Sequence, residues 1–429
     1  MLAQSSLRAD PDLGIAHNRA VDAGRPPSVE AATPWFNPGV RAIGVASFLS
    51  DVGHEIPTSL LPSFLTVTLG APASALGLIE GVADGAAGVA KLGGGALADD
   101  PQRRAKVAVG GYVTTAVLSS GIGLATAPWQ VFVLRTGAWA ARGVRGPSRN
   151  AILADVVPPE AYGRAYGFER AADNLGAIVG PLLAIALIAL FDVRTAMLVS
   201  IVPGLLAALA MLVAVRRVRR PSTRERRPIR LQVRPVLRGG LGRLFAGMGA
   251  FEFGNCAATL LILRATELLG PGRGQDRAAS IAVLLYVAYN LAATLTSLPA
   301  GHLGDRHGTR LVLLGGAASF LAAYLVFAGA GASVAVLAAG FVLAGVGIGA
   351  AETAEHAAVA ARAPEQMRGS AFGLLAAMQS AGNLAASAVA GILWTAFSPG
   401  VAFVWLAAWM LAAVVAFALM PGDGPSATG

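Results

Sequence analysis

Long apolar runs alternate with short polar connections along most of the chain. Twelve of these runs hold about 20 mostly apolar residues, the length that an α-helix needs to cross the hydrocarbon core of a bilayer. The pattern predicts helices over 40–67, 75–97, 105–125, 129–150, 166–189, 195–215, 244–263, 279–300, 310–328, 333–356, 371–395 and 401–420. We therefore predict an all-α membrane protein with twelve transmembrane helices.

Composition indicates a lipid environment. Of the 429 residues, 55% are hydrophobic and only 13% are charged, and the mean hydropathy is +0.62. A soluble protein carries about 25% charged residues, so this chain has too few to cover a water-facing surface. The net charge of +9 does not predict a nucleic-acid partner, because the basic residues lie in short segments between apolar runs.

Basic residues are concentrated on one side of the predicted membrane topology. The connections after helices 2, 6, 8 and 10 are basic, whereas those near 68–74, 126–128, 329–332 and 396–400 contain no lysine or arginine. A predicted loop at 264–277 departs from this alternation. The positive-inside rule therefore predicts that both termini are cytoplasmic. We expect the protein to lie in the inner (plasma) membrane.

An arginine-rich segment divides the chain into two halves. It contains eleven arginines between Arg216 and Arg243 and one acid, Glu225. We expect a flexible cytoplasmic tail at 1–38, an N-terminal six-helix bundle at 39–215, a basic linker at 216–243, a C-terminal six-helix bundle at 244–420 and a tail at 421–429. One chain contains both bundles, so we expect a monomer to suffice for function.

The two halves repeat short motifs at a nearly constant offset. Gly95-Ala-Leu-Ala-Asp99 recurs 206 positions later as Gly301-His-Leu-Gly-Asp305. Two further pairs recur at offsets of 205 and 206, namely Pro159-Glu160 with Pro364-Glu365 and Tyr166-Gly167 with Phe372-Gly373. Parallel repeats of this kind form two pseudo-symmetric bundles around one site near the middle of the membrane.

With these features the chain resembles the major facilitator superfamily, in particular its twelve-helix bacterial efflux-type members. That family carries a Gly-x-Leu-x-Asp-Arg-x-Gly-Arg-Arg pattern after helix 2, and residues 301–310 match it in the second half. The first-half copy at 95–104 has Asp100-Pro101 where a basic residue and its neighbour are expected.

The resemblance implies that these two loops form a conformational latch. Their glycines would allow close helix approach, and their aspartates would face helix ends and basic groups across the interface. The latch residues implied are Gly95, Asp99, Arg103, Arg104, Gly301, Asp305, Arg306 and Arg310. The alternative is that the loops only follow the positive-inside rule.

A second motif lies in helix 5 and reads Asn174-Leu-Gly176-Ala-Ile-Val-Gly180-Pro181. It resembles the Gly-x-x-x-Gly-Pro element of exporters in this superfamily, although no further glycines follow Pro181. Small residues four apart allow backbones to pack closely, and the proline bends the helix. The motif fits an antiporter or a plain packing role.

Helix 1 carries three ionisable residues, Asp51, His54 and Glu55, roughly 16–22 Å along the helix from Arg41. A charge near the bilayer centre costs roughly 2.5–3.5 kcal/mol, so such residues mark a cavity or a partner. Asp51 and Glu55 share a helix face and disfavour each other's ionisation. We predict that one of them carries a coupling proton. His54 is expected to point off this face, as a cavity or packing residue.

Helix 2 carries Glu80, Asp84 and Lys91 on one stripe. We expect a buried ion pair between Asp84 and Lys91, with Glu80 wetted near the outer surface; the alternative is that all three line the central cavity. In helix 7, Glu252 and Asn255 are further candidates for the cavity, with simple polar packing as the alternative.

Opposite charges end two helices that are repeat partners, helix 4 and helix 10. We predict that they form an inner gate, paired in the outward-open state and separated in the inward-open state. The residues concerned are Arg142, Arg145, Arg149, Glu352 and Glu355. Alternatively, the arginines anchor helix 4 to anionic lipid, or Arg142 recognises an anionic solute.

These features predict a secondary active transporter of a small organic solute that works by alternating access and proton-coupled efflux. Proton-coupled uptake is the first alternative, and a non-transporting membrane receptor or assembly factor is the second. The sequence has no Gly-x-x-x-x-Gly-Lys-Ser/Thr phosphate loop, so we expect the proton gradient rather than ATP to supply energy. The five histidines and one cysteine lack metal-ligand spacing. We expect no cofactor, no metal and no enzymatic activity.

Overall fold

A computed structural model describes residues 34–217, 229–238, 240–329 and 331–420. Within these ranges the chain is helical and contains no β-strand. The long helices are α1 Pro38–Ser63, α2 Ala73–Ala98, α3 Pro101–Gly121, α4 Pro128–Asp155, α5 Tyr162–Leu190, α6 Val193–Val199 with Ile201–Arg217, α7 Gly240–Gly254 with Ala258–Arg273, α8 Gln275–His307, α9 Thr309–Gly329, α10 Val334–Arg362, α11 Arg368–Ala396 and α12 Pro399–Leu419.

The prediction of twelve helices in two bundles is confirmed. Nine of the described helices are long and apolar enough to cross a membrane by length and composition alone. The remaining three, α1, α2 and α4, carry ionisable side chains along their lengths. These three helices supply most of the candidate site in the N-terminal bundle.

The predicted loop at 264–277 is wrong. Helix α7 continues to Arg273, and Gly274, at φ +82°, alone connects it to α8. The arginines that suggested a loop instead satisfy exposed carbonyl groups: Arg264 Nε donates to the Phe327 oxygen at 3.3 Å, and Arg273 Nη1 donates to the Ala332 oxygen at 3.3 Å. Long arginine side chains can reach such helix ends from within a helix.

Asp100 and Pro101, which break the loop pattern of the first half, start helix α3. The Asp100 side chain accepts a hydrogen bond from the Gln102 amide at 2.9 Å. Proline is favoured at the first helical position because its missing N–H would have no partner there, and aspartate is a strong N-cap. The departure from the family pattern therefore has a local structural cause.

The two bundles contact each other at one end of the helices, which we call the basic end because it carries the arginine-rich connections. There α2 packs on α11, and α5 packs on α8 and α10. A Cβ added to Gly95 would lie 2.8 Å from the Gly369 oxygen and 2.8 Å from the Gly373 Cα. Backbones this close require glycine, so Gly95 and its repeat partner Gly301, which meets the Gly163 backbone, serve the interface as predicted.

The bundles separate toward the opposite end. Residues 77, 81, 84, 88, 91 and 95 share one face of α2 by their three- and four-residue spacing. On this face a Cβ at Gly88 would lie 3.6 Å from Ser380 of α11, whereas a Cβ at Gly81 or Gly77 would have no atom within 4 Å. The space between α2 and the other bundle therefore widens away from the basic end.

The predicted tails fall almost entirely outside the described residues, which begin at Pro34 and end at Met420. Part of the predicted linker is described, as residues 229–238, and contains the short helix Val233–Val236. Here Gln232 contacts the latch region, since its amide donates to the Ser370 hydroxyl at 3.2 Å.

Candidate functional site

The two acids of α1 lie directly against the glycine motif of α5. A Cβ added to Gly176 would lie 2.8 Å from the Asp51 Cβ, and a Cβ added to Gly180 would lie 2.5 Å from the Glu55 Cβ. The glycine spacing in α5 thus matches the acid spacing in α1. Gly176 and Gly180 therefore pack α5 against α1, which fits the packing interpretation of the motif. The surface of α1 that they contact is the one that carries Asp51 and Glu55.

His54 lies between the two acids. Its Nδ1 is 3.5 Å from Asp51 Oδ1 and its Nε2 is 3.4 Å from Glu55 Oε1. The prediction that His54 points off the acid face is wrong, because neighbours three residues apart also share a helix side. Nδ1 also lies 2.8 Å from the Ser50 carbonyl oxygen, which can only accept. Nδ1 therefore carries a proton, and Nε2 faces Glu55.

Arg142 reaches the same acids from α4. Its Nη2 is 3.5 Å from Asp51 Oδ1, and 36% of its side chain is exposed. Asp51 itself is 5% exposed. The histidine and arginine neighbours reduce the cost of burying a carboxylate here. Asp51, His54, Glu55 and Arg142 form one connected group, which we call the α1 cluster.

A second charged group, built around Arg135, was missed in the sequence. Arg135 is 1% exposed; its Nη2 lies 2.9 Å from Glu80 Oε2 and its Nη1 donates to Thr58 Oγ1 at 2.9 Å. The guanidinium also lies 3.3 Å from the ring centre of Trp139. An arginine inside the apolar start of helix 4 was the available signal, since such a residue requires a buried partner.

The predicted ion pair between Asp84 and Lys91 is not formed. Glu80 is 34% exposed, in line with the expected contact with water, and is also paired with Arg135. Asp84 Oδ1 accepts a hydrogen bond from Trp139 Nε1 at 3.0 Å. Lys91 Nζ instead donates to the hydroxyl of Ser380 in the other bundle. The prediction failed because it considered partners on α2 alone, although this face of α2 meets α4 and α11.

The predicted gate pairs between α4 and α10 are also wrong. Arg149 Nη1 binds Glu169 Oε1 at 2.8 Å and Asp173 Oδ1 at 3.3 Å, both within its own bundle. Arg145 donates to Ser50 Oγ at 2.6 Å and lies over the Tyr112 ring. Acids on α5, which the sequence analysis overlooked, are closer to these arginines than those on α10.

Three ion pairs among the described residues join the bundles near the basic end. Arg164 Nε of α5 lies 2.7 Å from Asp305 Oδ2 of α8. Arg170 of α5 lies 3.7 Å from Glu352 of α10, so Glu352 has a cross-bundle partner, although not the predicted one. Arg368 of α11 lies 3.4 Å from Asp155 at the end of α4. All three pairs must break if the basic end opens.

Both latch aspartates bind the start of a helix in the opposite bundle. Asp305 accepts hydrogen bonds from the Gly163 amide at 2.6 Å and the Arg164 amide at 3.0 Å. Asp99 accepts from the Ser370 amide at 2.8 Å and from its hydroxyl. A carboxylate is stabilised at a helix N-terminus by the free amides and the helix dipole. Burial raises the pKa of Asp99, and the hydrogen bonds from Ser370 act against this.

The predicted latch arginines stay in their own bundles or in solvent. Arg103 pairs with Asp100 at 3.3 Å, Arg104 pairs with Asp155, and Arg306 is exposed. Arg310 Nε donates to the Phe417 oxygen at 2.9 Å and so caps α12. Of the predicted latch residues, the aspartates and glycines are therefore the ones that contact the opposite bundle.

Polar groups in the C-terminal bundle gather at a break in α7. Residues 255–257 are not helical, and the Asn255 oxygen accepts a hydrogen bond from Asn383 Nδ2 at 2.9 Å. Glu252 Oε2 accepts from Asn255 Nδ2 at 3.1 Å, and Glu355 Oε2 accepts from Gln379 Nε2 at 2.8 Å. Within the described residues, no group of three or more His, Cys, Asp or Glu side chains is arranged to hold a metal ion.

The fold and these charged groups within two helical bundles define a membrane transporter of the secondary type. The sequence matches the family model of the Major Facilitator Superfamily over residues 43–270 and 268–428. The chain belongs to the Major Facilitator Superfamily.

Two relatives are similar over most of their length. An uncharacterized protein of Mycobacterium tuberculosis is 28% identical over 397 residues, which cover 90% of this chain and 94% of the relative. An uncharacterized MFS-type transporter of Methanocaldococcus jannaschii is 27% identical over 371 residues, covering 85% of this chain and 90% of the relative.

Solved structures with this fold include the human organic anion transporter MFSD10, with a TM-score of 0.69 and 16% identity over 89% of this chain and 99% of that one. The proton:xylose symporter XylE also has a TM-score of 0.69, with 14% identity over 90% of this chain and 96% of the other. At these identities the likeness concerns the fold alone.

Proposed function

We propose that this transporter exports a small organic solute in exchange for protons, and that the α1 cluster binds the coupling proton. The observation that carries the proposal is the position of Asp51: buried, four residues from Glu55, and within 3.5 Å of both His54 and Arg142. Two acids this close disfavour each other's ionisation, and Arg142, which is 36% exposed, connects them to solvent.

Proton and solute compete in this proposal. The deprotonated α1 cluster offers Asp51 and Glu55 as hydrogen-bond acceptors to the solute. A proton on either acid removes a negative charge, weakens the contact with Arg142 and displaces the solute. A protonated acid also costs less than a carboxylate in the state in which both ends of the transporter are closed to water. Protonation therefore favours the step in which the transporter returns without solute.

Contacts between the bundles bias the end states. With the basic end on the cytoplasmic side, as the positive-inside rule predicts, the closed basic end and the widening gap beside α2 describe an outward-facing transporter. The Asp99 and Asp305 latches stabilise this state, together with the Arg170–Glu352 pair. The inward-facing state must break all of them.

The choice of efflux rests on the glycine motif of α5, which resembles that of exporters in the superfamily. Its close contact with Asp51 and Glu55 gives the motif a role in coupling, because any movement of α5 moves the acids. Proton coupling itself occurs on this fold, as in a proton:xylose symporter. If loss of the protein abolished accumulation of the solute instead of raising its internal level, uptake would replace efflux.

The test uses purified protein in liposomes. A ligand panel scored by thermal stabilisation first identifies a solute, since a bound ligand raises the melting temperature by mass action. Flux of that solute driven by a pH gradient is then measured for Asp51→Asn, Glu55→Gln and wild type. Glu267→Gln, an exposed acid of α7, is the matched control.

We expect both α1 variants to lose pH-driven flux, and the control to retain it. Exchange of labelled for unlabelled solute without a pH gradient should persist in at least one α1 variant, which separates a coupling defect from a folding defect. Full pH-driven flux in both variants would exclude the α1 cluster as the proton site.

A further inference from the structure

Two buried acids of the C-terminal bundle face each other. Glu252 of α7 is 1% exposed and Glu355 of α10 is 0% exposed. Both lie against the same part of α11: a Cβ added to Gly382 would lie 2.6 Å from the Glu252 Cβ, and Gln379 Nε2 donates to Glu355 Oε2 at 2.8 Å. Among the described residues, no lysine, arginine or histidine lies within ion-pair distance of either acid. This arrangement differs from the acids of the N-terminal bundle, most of which have cationic partners.

The hydrogen bonds around the two acids leave one oxygen without a donor. Asn255 donates to Glu252 and Gln379 donates to Glu355. The other Glu355 oxygen, Oε1, is buried and has no partner. Two buried carboxylates on neighbouring helices repel each other and cannot both be ionised at low cost, and a buried acceptor without a donor is costly. One proton between the acids removes both costs.

We propose that Glu252 and Glu355 form a second proton site, which binds and releases a proton as the basic end closes and opens. This inference rests on the proposed proton coupling and adds a site in the second bundle. The internal repeat supports this proposal. The residue equivalent to Glu355 in the first half, 206 positions earlier, is Arg149, which binds acids of α5. Glu355 instead lies beside Gln379 and Glu252. Equivalent positions thus hold a fixed cation in one bundle and a protonatable acid in the other.

Several charged or titratable groups face the pair from neighbouring helices. Lys91 of α2 lies near the pair, since its Nζ donates to Ser380, which follows Gln379 in sequence. Glu352 lies one turn before Glu355 on α10, and Tyr289 of α8 is close enough to interact electrostatically with Glu252. Cys256 follows the pair along α7. Glu352 is already bound by Arg170, so Lys91 is the cation that is free to respond to the charge of the pair.

Lys91 couples the pair to the movement of the bundles. Its Nζ donates to Ser380 of α11, adjacent in sequence to Gln379, which holds Glu355. While the basic end is closed, the lysine charge stabilises an ionised acid in the pair. When the basic end opens, Lys91 withdraws and a second proton becomes easier to bind. By linkage, protonation of the pair must favour opening to the same degree.

Infrared spectroscopy of the full-length protein in liposomes tests the proton site directly. The carbonyl stretch of protonated carboxyl groups is followed through a pH titration in wild type, Glu252→Gln and Glu355→Gln. We expect each variant to lose one titrating component that Asp51→Asn retains. In Lys91→Met, the same component should hold its proton to higher pH. A Glu355→Gln spectrum that titrates as the wild type does would overturn the proposal.

A distance measurement tests the coupling. Spin labels at Gln102 and His307, exposed positions of the two bundles at the basic end, report its opening in a Cys256→Ala background. We expect acidification to increase the population with the longer distance, and Lys91→Met to increase it at neutral pH. A pH response that survives in the Glu252→Gln, Glu355→Gln double variant would contradict the proposal. Neither the infrared nor the distance measurement needs the transported solute. The role of the α1 cluster is tested separately by solute flux, so the two proposals can fail independently.

Discussion

Gly180 of α5 leaves no room for a side chain beside Glu55 of α1, since a Cβ at position 180 would lie 2.5 Å from the Glu55 Cβ. One turn earlier, Gly176 stands in the same relation to Asp51. The exporter-like motif and the in-membrane acids, two unrelated features of the sequence, are therefore two sides of one helix contact.

The first prediction concerns this contact. Gly180→Val should push α1 away from α5 and displace Glu55 from His54, because overpacking costs about 1–3 kcal/mol and is relieved by backbone movement. We expect the loss of most pH-driven flux in liposomes, with solute binding weakened less than coupling. Gly110→Val, where an added Cβ meets no atom within 4 Å, is the control. Equal flux in the two variants would show that the contact does not serve coupling.

The latch supplies a second prediction. Asp305→Ala removes the acceptor of the Gly163 and Arg164 amides, which are left unpaired at a cost of about 1–3 kcal/mol in the closed state. This corresponds to a shift of about 5- to 150-fold toward the open basic end. Reactivity of cysteines introduced at the basic end should rise accordingly. Asp276→Ala, an exposed acid at the other end of α8, should leave that reactivity unchanged.

A third prediction separates the cross-bundle pair from the pairs within one bundle. Glu352→Gln should increase reactivity at the basic end, because the Arg170–Glu352 contact exists only while that end is closed. Arg170 itself is left unchanged, since it also binds Glu169 at 2.7 Å within its own bundle. Arg149→Gln should instead lower the melting temperature, because Glu169 and Asp173 in the same bundle lose a buried partner. Opening of the basic end by Arg149→Gln without loss of stability would contradict this distinction.

The sequence predicted the helices, the repeat and the latch aspartates because each has a local signature. Apolar runs of sufficient length define the spans, and the loop motif places Asp99 and Asp305 at helix ends that meet the other bundle. The break in α7 has no such signature, because residues 255–257 include no proline or glycine. The helix unwinds where Asn383 and Tyr324 donate hydrogen bonds to the freed carbonyl oxygens.

The partners of the charged residues were poorly predicted, because spacing along one helix says little about neighbouring helices. Arg149 was assigned to acids of α10, whereas Glu169 on the adjacent α5 lies 2.8 Å away. Lys91 was assigned to an acid on its own helix and binds Ser380 instead. Rotation and tilt of the helices decide these pairs, and both depend on packing of small residues over the whole bundle.

The Arg135 group leads to the last prediction. Arg135→Ala leaves Glu80 without its guanidinium partner and removes the cation from the Trp139 ring. The Glu80 side chain is 34% exposed, so water compensates part of the charge that is left unpaired, and the loss of the buried guanidinium contacts adds to the cost. We expect a clear fall in melting temperature in detergent. The double variant Arg135→Ala, Glu80→Gln should recover part of that loss, since the uncompensated charge is gone while the ring contact is still missing. If Glu80→Gln gave no recovery, the stabilising contact of Arg135 would be the one with Trp139, and the carboxylate would already be accessible to water.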